Sequence, residues 1–317
     1  MSSAPCIVGV DIGGTKVACV LADAGGIILA RQWQSTRAGE GWQAVVNQLL
    51  EMCEAVMQGV SREGIRGIGI SCGGPLDSLR GIVYSPPNLP GWDAVPIVRL
   101  FEERFGLPVR LENDANATAL AEHRFGAGRG TRNMVFMTWG TGIGGGLILD
   151  GRLYRGTNDL AGEIGHITIL QDGPPCGCGK RGCLEALASG PSIARRAREL
   201  AGDSPESALW QMTSPEEVTA QHVVDAAQAG DIFARFVLTE AATYMGIGIA
   251  NLAQIVNPER VVLGTIAVKA GDLVLEPLRR ALEVHAWSRV RQVLTVVPAE
   301  LGGRAQDLAA VCLWLED

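Results

Sequence analysis

IVGVDIGGTKVACVL, residues 7–21, reads as two apolar β-rich runs, Ile7–Val10 and Val17–Leu21, joined by the glycine turn DIGGTK. Apolar runs broken by a short glycine segment signal a β-hairpin. A second stretch repeats the plan, with Met134–Thr138 and Gly146–Leu149 flanking WGTGIGG. Each turn carries a threonine and offers successive backbone N–H groups with no Cβ in front of them. Such a turn makes a concave anion site. One glycine-rich hairpin alone carries little, because these turns are common. Two facing each other across a cleft would grip a polyphosphate from both sides, and Asp11 and Lys16 in the first strengthen that reading.

Other phosphate motifs fail on context. GTGIGG, residues 140–145, matches GxGxxG literally, but a dinucleotide fingerprint must open a helix. Here GLILDG follows, which reads as a strand and turn. An NAD-dependent oxidoreductase is set aside on that ground. No GxxxxGK[ST] occurs, which excludes a P-loop.

Strands and helices alternate around the hairpins, the pattern of an α/β chain. Trp42–Met57 places apolar residues at the spacing of an amphipathic helix. Ile65–Ser71 reads as a buried strand and SPPNLPGWDAVP, residues 85–96, as a long surface loop. Leu107–Asn113 is a strand running into a helix from about Ala115 to Phe125. Ser214-Pro215 followed by Glu217 predicts a helix start. A long helix over Asp231–Ile255, a short strand over Arg260–Gly264 and a last helix from about Arg304 to Leu315 complete the pass.

EIGHITILQDGPPCGCGKRGCLE, residues 163–185, encloses a metal-ligand cluster between two glutamates. His166, Cys176, Cys178 and Cys183 make a closed set of one imidazole and three thiolates, as a structural zinc site needs. Soft sulfur ligands favour zinc over magnesium or calcium. The rival readings are a disulfide with a spare thiol, or small core residues. MSSAPCIVGV at the N-terminus has none of the marks of a secretory leader, which argues for reduced thiols. Glu163 and Glu185 flank the ligands, so a bound metal would fix where both carboxylates point. That is the make-up of a substrate pocket.

The net charge of −7 speaks against a nucleic-acid partner, and no uninterrupted apolar stretch of about 20 residues suggests a membrane span. In ENDANATALAEHRF, residues 112–125, Asp114 ends a strand and begins a helix. Asn and Asp are favoured helix caps, which is one reading of the pair. The other is that open α/β sheets bind ligands at the carboxyl ends of strands, where a carboxylate can act as general base.

DIGGTK, ENDANATALAE, GTGIGGG, GEIGH and CGCGKRGCLE, in this order and spacing, resemble the ROK family (repressor, open reading frame, kinase) of the actin-like ATPase superfamily. The resemblance covers essentially the whole chain. It implies a two-domain α/β fold of the actin-like ATPase (ribonuclease H-like) type, each domain a mixed sheet flanked by helices, with a cleft between. Residues 1–114 plus 304–317 would form the small domain, and 115–303 the large one with its zinc loop. The implied activity is MgATP-dependent phosphorylation of a hexose, first of all glucose to glucose 6-phosphate; another hexose or N-acetylhexosamine, or a sugar-responsive regulator without activity, are the alternatives. The regulator is disfavoured because DIGGTK is reached by residue 16, leaving no room for an N-terminal DNA reader.

Carried over by position, the resemblance makes Asp114 the general base. Gly74, Asn88, Asn113, Asp114 itself, Glu163, His166 and Glu185 would contact the sugar, His166 also serving zinc. Gly13, Gly14, Thr15, Lys16, Thr141, Gly142 and Gly264 would contact the nucleotide, with Asp11 positioning Mg2+. A cytoplasmic homodimer is implied as well. Two departures stand out: the turn before the sugar loop is SCGGP, residues 71–75, and the late glycine motif is Gly264-Thr265-Ile266.

Overall fold

The computed structural model describes residues 5–315, so the first four residues, read above for a leader, and the last two of the expected small domain lie outside it. The first seven strands are β1 (Cys6–Ile12), β2 (Lys16–Ala22), β3 (Ile28–Ser35), β4 (Ile65–Cys72), β5 (Leu76–Asp77), β6 (Ile82–Val83) and β7 (Val109–Asn113). The remaining five are β8 (Met134–Met137), β9 (Gly145–Leu149), β10 (Arg152–Tyr154), β11 (Arg260–Leu263) and β12 (Thr295–Pro298).

Ten of these strands build two sheets, ordered β3-β2-β1-β4-β7 and β10-β9-β8-β11-β12. The plan is the same twice. A central strand, β1 or β8, pairs antiparallel with the next strand on one side and parallel with a later strand on the other. The two glycine turns noted in the sequence are the β1–β2 and β8–β9 turns, so they occupy equivalent places in the two sheets. The fold is α/β, with mixed sheets flanked by helices, as expected.

Register sets the site. Asp11 pairs with Ser71 between parallel β1 and β4, and Cys72 pairs with Asn113 between β4 and β7. Asp11, the turn after Cys72, and Asn113-Asp114 therefore share the carboxyl edge of the first sheet, where such sheets hold ligands.

The Trp42–Met57 helix forms as its spacing predicts and buries Val45, Val46, Leu49, Met52, Cys53 and Val56 against that sheet. The Arg304–Cys312 helix returns to lie on β1, β4 and the Asp114–Phe125 helix. Its approach is close: a Cβ on Gly69 would stand 1.9 Å from the Ala310 carbonyl oxygen, so β4 must carry glycine there.

Two expectations need correction. The 85–96 segment is not a plain surface loop, because Leu89 and Trp92 are almost fully buried in the first core. A bridge between Val83 and Val95 folds the segment back on itself and turns those side chains inward. Ser214-Pro215 starts only a turn; the helix begins at Ala220, where Thr219 and His222 make a reciprocal cap that Ser214 and Glu217 do not. The Ile232–Val256 helix is long and apolar enough to cross a bilayer, but more than half of its apolar window is buried in the protein. It packs against the helix Asp272–His285 as a core element.

Candidate active site

Asn113, not Asp114, caps the helix. Its side-chain oxygen accepts from the N–H groups of Ala115 (2.9 Å) and Asn116 (3.4 Å). That leaves Asp114 as the first helical residue, with Oδ1 accepting from Ala115 N–H at 2.8 Å and Oδ2 on the side of Gly73. Asp114 is reachable from solvent but sits among dense protein, and this desolvation raises its pKa against the opposing pull of its backbone hydrogen bonds. Asp11 is raised from 3.8 to about 7, by burial first and then by the charge of Asp114, with Lys16 and Ser71 pulling the other way. Behind the pair lies Glu112, fully buried. It accepts from Arg155 Nε at 2.6 Å and from Asn116 Nδ2 at 2.9 Å, and burial pushes its pKa up.

A cavity of about 260 Å³ opens beside this edge. Gly74, Asn113, Glu163 and His166 line it, together with Pro87, Asp159 and Leu160. The structure thus gathers four of the expected sugar residues around one space. Asn88 and Glu185 are placed differently, each against a glycine turn. A Cβ on Gly14 would stand 2.3 Å from the Asn88 carbonyl oxygen. Glu185 Oε2 accepts from Ile143 N–H at 2.9 Å, beside Gly142.

The first turn is braced from behind, where Thr36 Oγ1 donates to Gly13 O at 2.7 Å and Thr36 N–H to Thr15 O at 3.0 Å. Lys16 Nζ stands 5.4 Å from the centroid of the Trp33 ring, within cation–π range. The second turn is held by Gly144 N–H donating to Thr138 Oγ1 at 2.7 Å. Behind it a cavity of about 520 Å³ is lined by Thr141, Pro191, Thr219, Gln221, Thr265 and Lys269, among others. Gly264 is buried beneath this wall, and Thr265, its neighbour, is the residue exposed to the space.

His166, Cys176, Cys178 and Cys183 bring their ligand atoms within 4.8 Å of one another. Cys178 Sγ lies 3.7 Å from Cys183 Sγ, and Cys176 Sγ 3.6 Å from His166 Nδ1. Tetrahedral zinc at the usual bond lengths would set these separations at about 3.8 and about 3.6 Å. The donor set fits that ion. His166 spends Nδ1 on the sulfur side and turns Nε2 toward Glu163, 3.8 Å from Oε2.

Sequence reasoning missed Glu112, Arg155 and Asp159, as well as the Thr219–Gln221 wall. Glu112 stood in the quoted motif, but only its lack of exposure reveals that it braces the site. Thr219 carried a usable signal, the cap before an apolar-periodic run.

The ROK family model matches residues 7–317. A glucokinase of Halalkalibacterium halodurans is 39% identical over 302 residues, covering 94% of this chain and 91% of the relative. A xylose repressor of Caldicellulosiruptor bescii is 32% identical over 98% of this chain and 78% of its own length. The crystal structure of a ROK family glucokinase from Streptomyces griseus in complex with glucose and AMPPNP superimposes with a TM-score of 0.81. It is 36% identical and covers 97% of this chain and 98% of that one. With the family model matching nearly the whole sequence, the chain belongs to the ROK family.

Proposed function

We propose that this protein is an ATP-dependent hexokinase acting on glucose at the 6-hydroxyl, with Asp114 as general base. The observation that carries the reading is the position of Asp114. It lies on the carboxyl edge of the first sheet, next to a cavity lined by Asn113, Glu163 and His166, with a phosphate-type turn of the same sheet beside it. A solvent-reachable carboxylate whose pKa is raised by the dense protein around it is suited to accept a proton from a hydroxyl. The similarity to glucokinases supports glucose as the acceptor and ATP as the donor.

The reaction balances simply. The sugar oxygen forms a bond to the γ-phosphorus, the bond from phosphorus to the bridging oxygen of ADP breaks, and the hydroxyl proton passes to Asp114. Gly13, Gly14, Thr15 and Lys16 would hold phosphates from one sheet, Thr141 and Gly142 from the other. Asp11 would hold Mg2+ through water, and bound magnesium supplies charge neutralisation on the phosphates. Gly74, Asn88, Asn113, Glu163, His166 and Glu185 would orient the sugar. Zinc on His166 and the three cysteines would hold the loop that aims Glu163 and Glu185.

The reading includes residues 1–114 and 304–317 as one domain and 115–303 as the other, supported by a core on each sheet, with a third cluster around the C-terminal helix joining the two. It also includes a homodimer in the cytoplasm, where ATP is available; sedimentation tests the former. The activity test is coupled ADP release over glucose, mannose, fructose, allose, glucosamine and N-acetylmannosamine. Glucose should give the highest kcat/KM, and absence of ADP with every sugar would refute the reading.

A further inference from the structure

The loop from Arg155 to Gly162 leads from β10 to the turn that carries Glu163 and His166. Its start is anchored by Arg155 Nε on Glu112, and Ala161 N–H donates back to Arg155 O at 3.1 Å. Between these points Thr157, Asn158 and Leu160 are exposed, whereas Asp159 is half-buried. Asp159 adopts φ +61, a left-handed conformation that is natural for glycine and uncommon for other residues. Its Oδ2 accepts a hydrogen bond from Ser78 N–H at 2.7 Å.

Ser78 belongs to the turn between β5 and β6, just after the Gly74-Pro75 step. Gly74, Pro75 and Leu76 of that segment line the same cavity as Asp159 and Leu160, so the contact ties together two segments that line the proposed sugar cavity. Asn113, Glu163 and His166 line it with them. Backbone strain persists where surroundings over-determine it, and it gathers at ligand sites. Here the left-handed residue makes one charge-assisted bond to the neighbouring segment.

We infer that Asp159 is a positioning residue for the sugar: its bond to Ser78 N–H clasps the two segments at the spacing at which both reach one hexose. The inference rests on the hexokinase reading above. Glycine tolerates φ +61 without strain, so Asp159→Gly removes the clasp while relaxing the backbone. A purely structural role would lower stability; a clasp would lower sugar affinity alone.

The test compares wild type, Asp159→Gly and Asp159→Asn by hydrogen exchange, thermal melting and steady-state kinetics. In Asp159→Gly the Ser78 amide should exchange roughly tenfold faster and the hexose KM rise about tenfold, as expected for loss of a charge-assisted bond that acts on binding. The ATP KM and the melting midpoint should hold. Asp159→Asn keeps an acceptor oxygen and should recover most of the loss. Unchanged Ser78 exchange, an unchanged hexose KM, or equal rises in both KM values with a lowered midpoint overturns the inference. A wild type that releases no ADP with any hexose defeats the kinase reading instead, while Ser78 exchange still decides whether the clasp exists.

Discussion

Glu185 Oε2 accepts a hydrogen bond from the backbone N–H of Ile143 at 2.9 Å, so a carboxylate assigned to the sugar also holds the phosphate-type turn of the second sheet. On the proposed reading the two binding functions would meet in one side chain. Glu185→Gln should raise KM for both hexose and ATP by about tenfold, the size of one charge-assisted bond. Glu163, which has no such contact with a glycine turn, should on substitution by Gln raise the hexose KM alone. Initial-rate kinetics with each substrate varied in turn separates the two patterns.

Asp114→Asn should lower kcat by ~10²–10⁴ while hexose binding changes little. The helix start does not depend on it, because Asn113 supplies the cap. A melting midpoint equal to that of the wild type, alongside the lost rate, would separate chemistry from folding. Rates near wild type would remove Asp114 from the role of base.

The acid–base behaviour has a definite sign. The folded pKa of Asp11 is raised above its ordinary 3.8 to about 7, so its stabilising contribution is complete below 3.8 and is lost as pH climbs to about 7. Asp11→Asn, locked in the neutral form, should therefore melt progressively higher than wild type over that window, with a constant gap above it. Thermal melts of both proteins without nucleotide measure this. Activity runs the opposite way: Asp114 must be ionised to take a proton, so kcat/KM for the hexose should rise with pH through its raised pKa and then level off.

Gly14 packs on the 85–96 segment with no room for a methyl group, the obstruction being the Asn88 carbonyl oxygen at 2.3 Å. Gly14→Ala should cost about 1–3 kcal/mol of stability from overpacking. It should also raise KM for hexose together with ATP, since the shifted backbone carries Asn88. A selective loss of ATP affinity would show that the two loops move independently.

Metal removal tests the sulfur cluster. Chelation or Cys178→Ser should release about one equivalent of zinc by elemental analysis and raise the hexose KM sharply before the melting midpoint collapses. Hexose affinity that survives complete metal loss would break the link between the cluster and the pocket.

How much of this was legible in the sequence depends on the range of the interaction concerned. The hairpins around DIGGTK and WGTGIGG and the four metal-ligand candidates are encoded within short windows, as are the helices Trp42–Met57 and Ile232–Val256, whereas β3, β12 and the Asp272–His285 helix went unread. Asn113 and Asp114 could not be told apart in sequence, because both residue types cap helices; the structure separates them by which oxygen reaches the N–H groups of Ala115 and Asn116. Trp92 looked solvent-facing inside a proline-rich segment, and only the Val83–Val95 bridge turns it inward. Arg155 on Glu112 and Asp159 on Ser78 join residues 43 and 81 positions apart, a distance at which no local pattern speaks.

The Arg304–Cys312 helix bears on how the protein is made. It covers β1 and β4, strands that emerge from the ribosome long before it, and its Ala310 carbonyl fills the space left by Gly69. Until that helix has been translated, the sheet edge bearing Asp11 and Asp114 rests on an uncovered apolar face. A product cut short before it would be aggregation-prone and open to proteases, as partly folded chains with bare apolar surface are.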